Sequence, residues 1–335
     1  MGKNWSKMDY PLYKRSVSLD YEVRGLLNYN LSCCVNALLQ SFSATTELLD
    51  ILNKWHPSDG IDKSNVPLQL KNTLEAMRDK SYPAPHKDFL NCLYRQAIRR
   101  FTQQDADEIF HIILNLSQKQ IPDAALAQEI CSLYEIKVET QVGCLNCKFI
   151  QRMPNSLFSL PLAICERENS LESCINSFFQ LQNLADSEKV YCDNCEKKQP
   201  SSYEVKLVSL PPILCVHLKR FRNDDGFTKK LYDKVTFPET FSTAIFAAGQ
   251  SEKADCLKAD EHYSLYAVVV HMGSTMSGHY TAFISSYQDW YYADDSCVQP
   301  STWKNVQGTY GGYRRRYGET AYLLLYRKKS WNSSG

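Results

Sequence analysis

The sequence predicts an α+β fold, with helices gathered in the first third and strands in the rest. A change of hydrophobic period carries that prediction. Before about residue 130, apolar residues recur at three- and four-residue spacing. After Cys131 they alternate with polar ones, as in Tyr134-Glu135-Ile136-Lys137-Val138-Glu139-Thr140-Gln141-Val142. A third observation says where chemistry belongs. In GLLNYNLSCCVNALLQ, Gly25 to Gln40, two cysteines run into the apolar helix pattern Val35, Leu38, Leu39, Phe42, so a thiol stands at a helix start. The unpaired N–H groups there favour thiolate over thiol.

At 335 residues, 44% hydrophobic and 22% charged, the chain can bury a large core, and one catalytic unit with subdomains is expected. The net charge is +1 with Lys and Arg spread along the chain, so the basic stripe that a nucleic-acid partner needs is missing. No apolar run approaches the eighteen or so residues of a membrane span, and the N-terminus lacks the apolar core of a secretory signal. Thirteen cysteines, an odd number, then point to reduced thiols, metal ligation or catalysis in a cytosolic or nuclear compartment.

Residues 1–23 show no sustained periodicity and read as a mobile arm. Its opening, Met1-Gly2-Lys3-Asn4-Trp5-Ser6, fits the pattern for N-myristoylation of Gly2. One acyl chain binds membranes only marginally, so the arm implies at most weak peripheral contact, helped by Lys3, Lys7, Lys14 and Arg15. The pattern is helical from Cys33 to Leu52, again through Leu70, Leu74 and Met77, and again through Phe89, Leu90, Leu93 and Ala97. HPSDG and YPAP are the breaks. Strands are clearest at Val205–Leu210, Ile213–Phe221, Tyr263–His271, Tyr280–Ser286 and Thr320–Tyr326.

Cys33 is the candidate nucleophile, and Asn28, five residues earlier on the incoming turn, can aim its side-chain amide at the oxyanion that forms when Cys33 attacks a carbonyl. In YSLYAVVVHMGSTMSGHY, His279 heads a strand behind Gly278, whose missing side chain lets another group approach closely; this is a candidate general base. Asp294 and Asp295 follow the aromatic strand WYYA, which would pair antiparallel with Thr281–Ser286 and bring an acid beside the imidazole, Asp294 first and Asp295 as alternate. Taken singly, each has a plainer reading as a core histidine, a turn or a helix cap. Cys144/Cys147 and Cys192/Cys195 form two Cys-X-X-Cys pairs, the pattern of a closed, structural four-thiolate zinc site. The 44 residues between Cys147 and Cys192 exceed a compact ribbon, which leaves two unrelated pairs as the alternative.

Several stretches resemble the ubiquitin-specific proteases. GLLNYNLSCCVNALLQ looks like the cysteine box of that family, and YSLYAVVVHMGSTMSGHYTAF with WYYADDSCV looks like its histidine box. TQQDADEIF, Thr102–Phe110, resembles a further family segment, as does the strand LPPILCVHLKRF, and the paired cysteines fall where the family keeps a zinc. The resemblance implies a papain-like cysteine peptidase fold shaped as a hand. Its parts would be an arm at 1–23, a catalytic domain at 24–330 and a short tail at 331–335. Within the domain, a helical thumb would span about 24–130, β fingers with the zinc about 131–210, and a β palm about 211–330. By the same resemblance Cys33 is the nucleophile, His279 the base, Asp294 the third member and Asn28 the oxyanion donor, and Asp105 and Glu108 receive the arginines of a ubiquitin-like tail.

Three departures stand out: Asn30-Leu31 where the family box has Gly-Asn, Ser32 for Thr, and Cys34 for an aromatic residue. Asn tolerates left-handed backbone, so Asn30 can replace a turn glycine. The Cys33-Cys34 pair and the C-terminal TYGGYRRRYGETAYLLLY are similar to the interferon-induced branch of the family. That implies an isopeptidase acting on a two-domain ubiquitin-like modifier and its conjugates, with damping of interferon signalling through receptor components as a further role. A general deubiquitinase, or an adaptor of the same fold acting without catalysis, are the alternatives.

Overall fold

The computed structural model describes residues 23–56, 64–78, 86–96, 98–100, 102–165, 169–224, 226–247, 261–275, 277–287, 289–312 and 318–329. Gly2 and its myristoylation pattern, the rest of the arm before Val23, and the tail 331–335 lie outside the described residues.

Helices α1 (Cys33–Ala44), α2 (Thr46–Asn53), α3 (Val66–Arg78), α4 (Lys87–Gln96), α5 (Ala106–Gln120) and α6 (Ala124–Tyr134) occupy the first third. Five of them bury one apolar face. α1 is different: every residue from Cys33 to Phe42 is buried, the signature of a helix enclosed on all sides. It lies between α5 and the strand Gly278–Ser286, so the helix bearing the candidate nucleophile is held by both halves of the molecule. α5 and α6 begin where the side chains of Asp105 and Asp123 accept the amides of Asp107 and Glu108, and of Ala125 and Leu126. Such caps are worth about 1 kcal/mol each.

Two details differ from the periodicity. The helical run from Cys33 to Leu52 breaks at Thr45, whose hydroxyl bonds Ser41 C=O at 2.9 Å and the Tyr266 hydroxyl at 2.6 Å. Tyr134 ends α6 and does not open the strand, because its ring is fully buried edge-on against Phe42 and Phe110.

From Ile136 onwards strands dominate, with two helices among them in the described residues, α7 (Leu171–Phe179) and α8 (Trp303–Gln307). Ile136–Cys144 is flanked by Ile150–Leu157 and Ser201–Ser209 in an antiparallel sheet that carries the Cys144/Cys147 pair, while Cys192/Cys195 belongs to a separate hairpin of Val190–Cys192 with Lys197–Gln199. The large sheet runs in the order Cys297–Ser301, Asp289–Asp294, Gly278–Ser286, His262–Gly273, Thr320–Lys329, Ile213–Lys219, Leu160–Ala163, and only the last pairing is parallel. Its central strands are buried on both faces, so they read as unbroken apolar runs such as Ala267–Val270 and Ala321–Tyr326. Arg220, wholly buried, donates to the carbonyls of Ala321, Leu231, Asp233 and Tyr310. One guanidinium thus ties together three backbone segments, 231–233, 310 and 321, that no ladder connects. Burial pushes its pKa down to about 10, so it stays charged at neutral pH.

Candidate active site

Cys33 is the first residue of α1, and the turn before it is built by short side chains bonding backward. Asn28 Oδ1 accepts the Ser32 amide at 3.0 Å, and Ser32 Oγ accepts the Tyr29 amide at 2.8 Å. Ser32, the residue at the cap position, makes no side-chain bond to the helix. The positive end of the helix is therefore directed at the cysteine thiols rather than spent on a cap. Asn30 and Leu31 both have left-handed φ values, 55° and 66°. Asn30 takes the glycine conformation expected of it. Leu31 does so without a polar side chain to ease it, at about 1–3 kcal/mol, and it is 53% exposed. Strain in two successive residues beside a nucleophile marks a loop whose shape matters.

His279 lies on the next strand of the large sheet, facing α1. Its Nε2 donates to Asp294 Oδ1 at 2.6 Å, which leaves Nδ1 for the Cys33 side chain. The hydrogen bond to Cys33 raises the pKa of His279 most, burial opposes it, and Asp294 adds to the rise, bringing it up to about 9. The imidazole therefore holds its second proton at neutral pH. The expected pairing of the aromatic strand is present: Ala282–Ser286 pairs antiparallel with Asp289–Ala293, and Asp294 ends that strand beside His279. Asp295, in left-handed backbone at φ 48°, faces elsewhere. Its Oδ2 is 4.0 Å from His279 Nε2, whereas it accepts Asn28 Nδ2 at 2.8 Å and, through Oδ1, Asn36 Nδ2 at 2.7 Å.

Cys34 is buried beneath Cys33, and burial pushes its thiol well above the ordinary range. Gly278 has the close approach its sequence context suggested. A Cβ there would meet His271 Nε2 at 2.2 Å and Gln103 Nε2 at 2.7 Å, and Gln103 Oε1 accepts the Gly278 amide at 2.9 Å. Burial, and then the charge of Lys230, push His271 down to about 3, so the second histidine near the site stays neutral.

Asp105 and Glu108 stand on the first turn of α5. Asp105 has both oxygens engaged, Oδ1 with the helix amides and Oδ2 with the Tyr322 hydroxyl; Glu108 is exposed. Sequence reasoning missed Asn36, Gln103 and His271. For Asn36 a signal existed, since three residues beyond Cys33 is the next position on the same helical face. Gln103 and His271 meet only through tertiary packing.

Away from this cleft, the sulfurs of Cys144, Cys147, Cys192 and Cys195 all lie within 4.8 Å of one another. Each pair sits at a hairpin knuckle, and the residue after each second cysteine, Lys148 or Glu196, takes left-handed backbone with φ 63° or 53°. That turn folds two sulfurs of one pair to the same side. Four convergent thiols are a donor set suited to a tetrahedral soft metal. Among the described residues all twelve cysteines are free.

Residues 24–326 match the family described as Ubiquitin carboxyl-terminal hydrolase. The chain belongs to that family. It is 31% identical over 314 residues to the human protein named Ubl carboxyl-terminal hydrolase 18, covering 91% of this chain and 84% of that protein. The mouse protein of the same name is 33% identical over 314 residues, covering 91% and 85%. The human Ubiquitin carboxyl-terminal hydrolase 47 is 24% identical over 378 residues, but the match spans only 27% of it. This chain is accordingly a cysteine-type hydrolase of the family, with an α+β catalytic domain.

Proposed function

We propose that this protein is an isopeptidase that releases a ubiquitin-like modifier of the two-domain, interferon-stimulated kind from conjugated proteins by cleaving after the modifier's C-terminal glycine. The observation that carries the reading is the imidazole of His279 held between the Cys33 thiol and Asp294 Oδ1 at 2.6 Å. The choice of modifier is supported by the relatives at 31% and 33% identity, whose names specify Ubl rather than ubiquitin.

In this reading the second proton on His279 is the one Cys33 gives up, Cys33 Sγ attacks the carbonyl carbon of the terminal glycine, and the carbonyl oxygen becomes an oxyanion. Asn28 has two N–H groups, one bound by Asp295 at 2.8 Å, and the other donates to that oxyanion. As the tetrahedral intermediate collapses, the C–N bond to the substrate lysine breaks and His279 gives its proton to the departing amine. Neutral His279 then takes a proton from water, the hydroxide attacks the thioester carbon, the C–S bond breaks to return the Cys33 sulfur beside protonated His279, and the modifier leaves with a free carboxylate. Asp294 keeps the imidazole oriented throughout. Asp295 holds Asn28 and Asn36. Glu108, exposed on α5, and Asp105, whose oxygens already accept the α5 amides and the Tyr322 hydroxyl, would meet arginines of the incoming tail.

Cys144, Cys147, Cys192 and Cys195 would hold one zinc ion, which joins two hairpins and, with every coordination position filled by sulfur, takes no part in cleavage.

The test is to offer ubiquitin and the two-domain modifier, each with a C-terminal electrophile. Covalent attachment of the two-domain modifier to Cys33, with little or no attachment of ubiquitin, is the expected result. Preferential attachment of ubiquitin would make the protein a general deubiquitinase, and no attachment of either would remove the enzymatic reading.

A further inference from the structure

An oxyanion donor works only if it is already in place when charge develops, and Asn28 sits on a loop with an unfavourable backbone. Asn30 and Leu31, both left-handed and neither glycine, would relax if nothing restrained them. Asp295 and the Ser32 amide fix the side chain of Asn28. They do not fix the backbone on either side of it.

Ser32 Oγ holds the Tyr29 amide at 2.8 Å and Asn36 Nδ2 reaches the Leu27 carbonyl at 3.3 Å, and helix α4 adds one further restraint on each side. His86, one residue before the helix and wholly buried, lies with Nε2 2.8 Å from the Leu27 carbonyl oxygen. A carbonyl can only accept, so Nε2 carries the proton and donates. Two turns on, the Tyr94 hydroxyl donates to the Tyr29 carbonyl at 3.2 Å. Leu27 and Tyr29 are the two neighbours of Asn28 in the chain. The His86 ring also lies against the ring of Tyr29, with centroids 5.4 Å apart, and Arg100 covers the Tyr94 ring at 5.2 Å. Nothing in the cleavage chemistry uses a buried histidine at this distance in sequence. Nδ1 of His86 is buried without a hydrogen-bond partner, so the bond to Leu27 is the one hydrogen bond of the ring. The burial cost is accepted for the single bond to Leu27. Burial also keeps the ring neutral, pushing its pKa below the ordinary range.

We infer that α4 clamps the oxyanion loop, with His86 and Tyr94 as positioning residues that hold the carbonyls flanking Asn28 and so keep its free N–H aimed at the developing oxyanion. This rests on the reading of Asn28 as oxyanion donor.

The experiment is a double-mutant cycle on kcat, using the two-domain modifier with a C-terminal fluorogenic amide and the full chain. Asn28→Ala is expected to lower kcat by about 10²–10³. Tyr94→Phe, which removes one hydroxyl from a half-buried ring, is expected to lower kcat by about three- to tenfold with KM within about twofold. In the Asn28→Ala background, Tyr94→Phe should have no further effect, because its action runs through Asn28. His86→Gln, whose amide can donate to Leu27, should retain more activity than His86→Ala. The same fractional loss from Tyr94→Phe in both backgrounds, or a change in KM alone, would overturn the clamp while leaving Asn28 in its role. If Asn28→Ala left kcat unchanged, the oxyanion reading would fail, and the clamp with it.

Discussion

Two neighbouring carboxylates, Asp294 and Asp295, face different groups, and replacing each by its amide should separate their jobs. Asp294→Asn keeps an oxygen near His279 Nε2 but removes the charge. Two unit charges about 4 Å apart interact by about 4 kcal/mol at the dielectric of a protein surface. The side chains here are 29% and 41% exposed, so solvent screening reduces the effect to about 2 kcal/mol, a slowing of roughly thirtyfold. The pH profile gives the sharper readout. His279 must be protonated to deliver a proton to the leaving amine, so activity is present below its pKa and lost as pH rises through about 9. Without Asp294 that alkaline limb should move down from about 9 toward the ordinary imidazole range near 6.5, with the Cys33 contribution remaining. Asp295→Asn should behave differently. One of its two oxygens becomes an NH₂ pointed at an amide donor, Asn28 or Asn36, now at 2.8 or 2.7 Å. Asn28 turns away, kcat falls by about 10²–10³, and the alkaline limb stays near 9. The assay is kcat/KM against pH for both variants and wild type. A limb that shifts in Asp295→Asn and not in Asp294→Asn would refute the assignment and exchange the two roles.

Cys33→Ala should abolish attachment of the C-terminal electrophile, while Cys34→Ala should keep it and lose about 1 kcal/mol of stability, because Cys34 is buried and inert; intact mass and thermal melting measure the two effects. Cys192→Ser should drop bound zinc from one per chain to none and lower Tm by several degrees, with kcat/KM of the folded fraction within about twofold of wild type. Elemental analysis that finds no zinc in folded wild-type protein would remove that site. Gly278→Ala should destabilise by about 1–3 kcal/mol and slow turnover more than tenfold, since the new methyl would stand 2.2 Å from His271 Nε2 and displace the residue next to His279. Wild-type melting and kcat in that variant would mean that the neighbours yield freely.

Much of the site is legible in the sequence because its signals are local. A thiol at the start of an apolar helix, a histidine behind a glycine at a strand start, and an aromatic strand of matching length each state their own geometry. The antiparallel pairing of Asp289–Ala293 with Ala282–Ser286 follows from that local pattern and brings the acid to the base. The four cysteines announce themselves by spacing and converge to within 4.8 Å. What is not legible depends on contacts distant in sequence. Gln103 and His271 are 168 residues apart and fill the space Gly278 leaves. His86 reaches Leu27 over 59 residues, and no periodicity links them. α7 is a different kind of miss: Ser170 and Ser173 form a reciprocal capping box, a local signal overlooked inside a region dominated by strands.

One place where the two halves of the molecule meet is the two-residue turn Asp295-Ser296, and there adjacent acids serve different groups, Asp294 the imidazole and Asp295 the two asparagines. Asp294 and Cys297 are register partners, so the turn is as tight as a hairpin allows. A left-handed φ of 48° at Asp295 reverses the chain within one residue, and the two carboxylates consequently point to different neighbours. The helical half comes to this turn through several contacts at once. Leu26 donates its amide to Asp295 C=O at 2.8 Å, Asn28 and Asn36 bond the carboxylate, and Gly25 lies so close that a Cβ would be 2.3 Å from the Ser296 carbonyl oxygen. The nucleophile belongs to one half and its base to the other. Their relative placement therefore depends on an interface that is backbone-tight at this point and cannot slide without breaking charged hydrogen bonds. A bulkier residue at position 25 would have to push this turn away, and with it the strand end that carries Asp294. The same turn that orients the base through Asp294 holds the oxyanion donor through Asp295, so proton transfer and charge stabilisation are set by one piece of backbone.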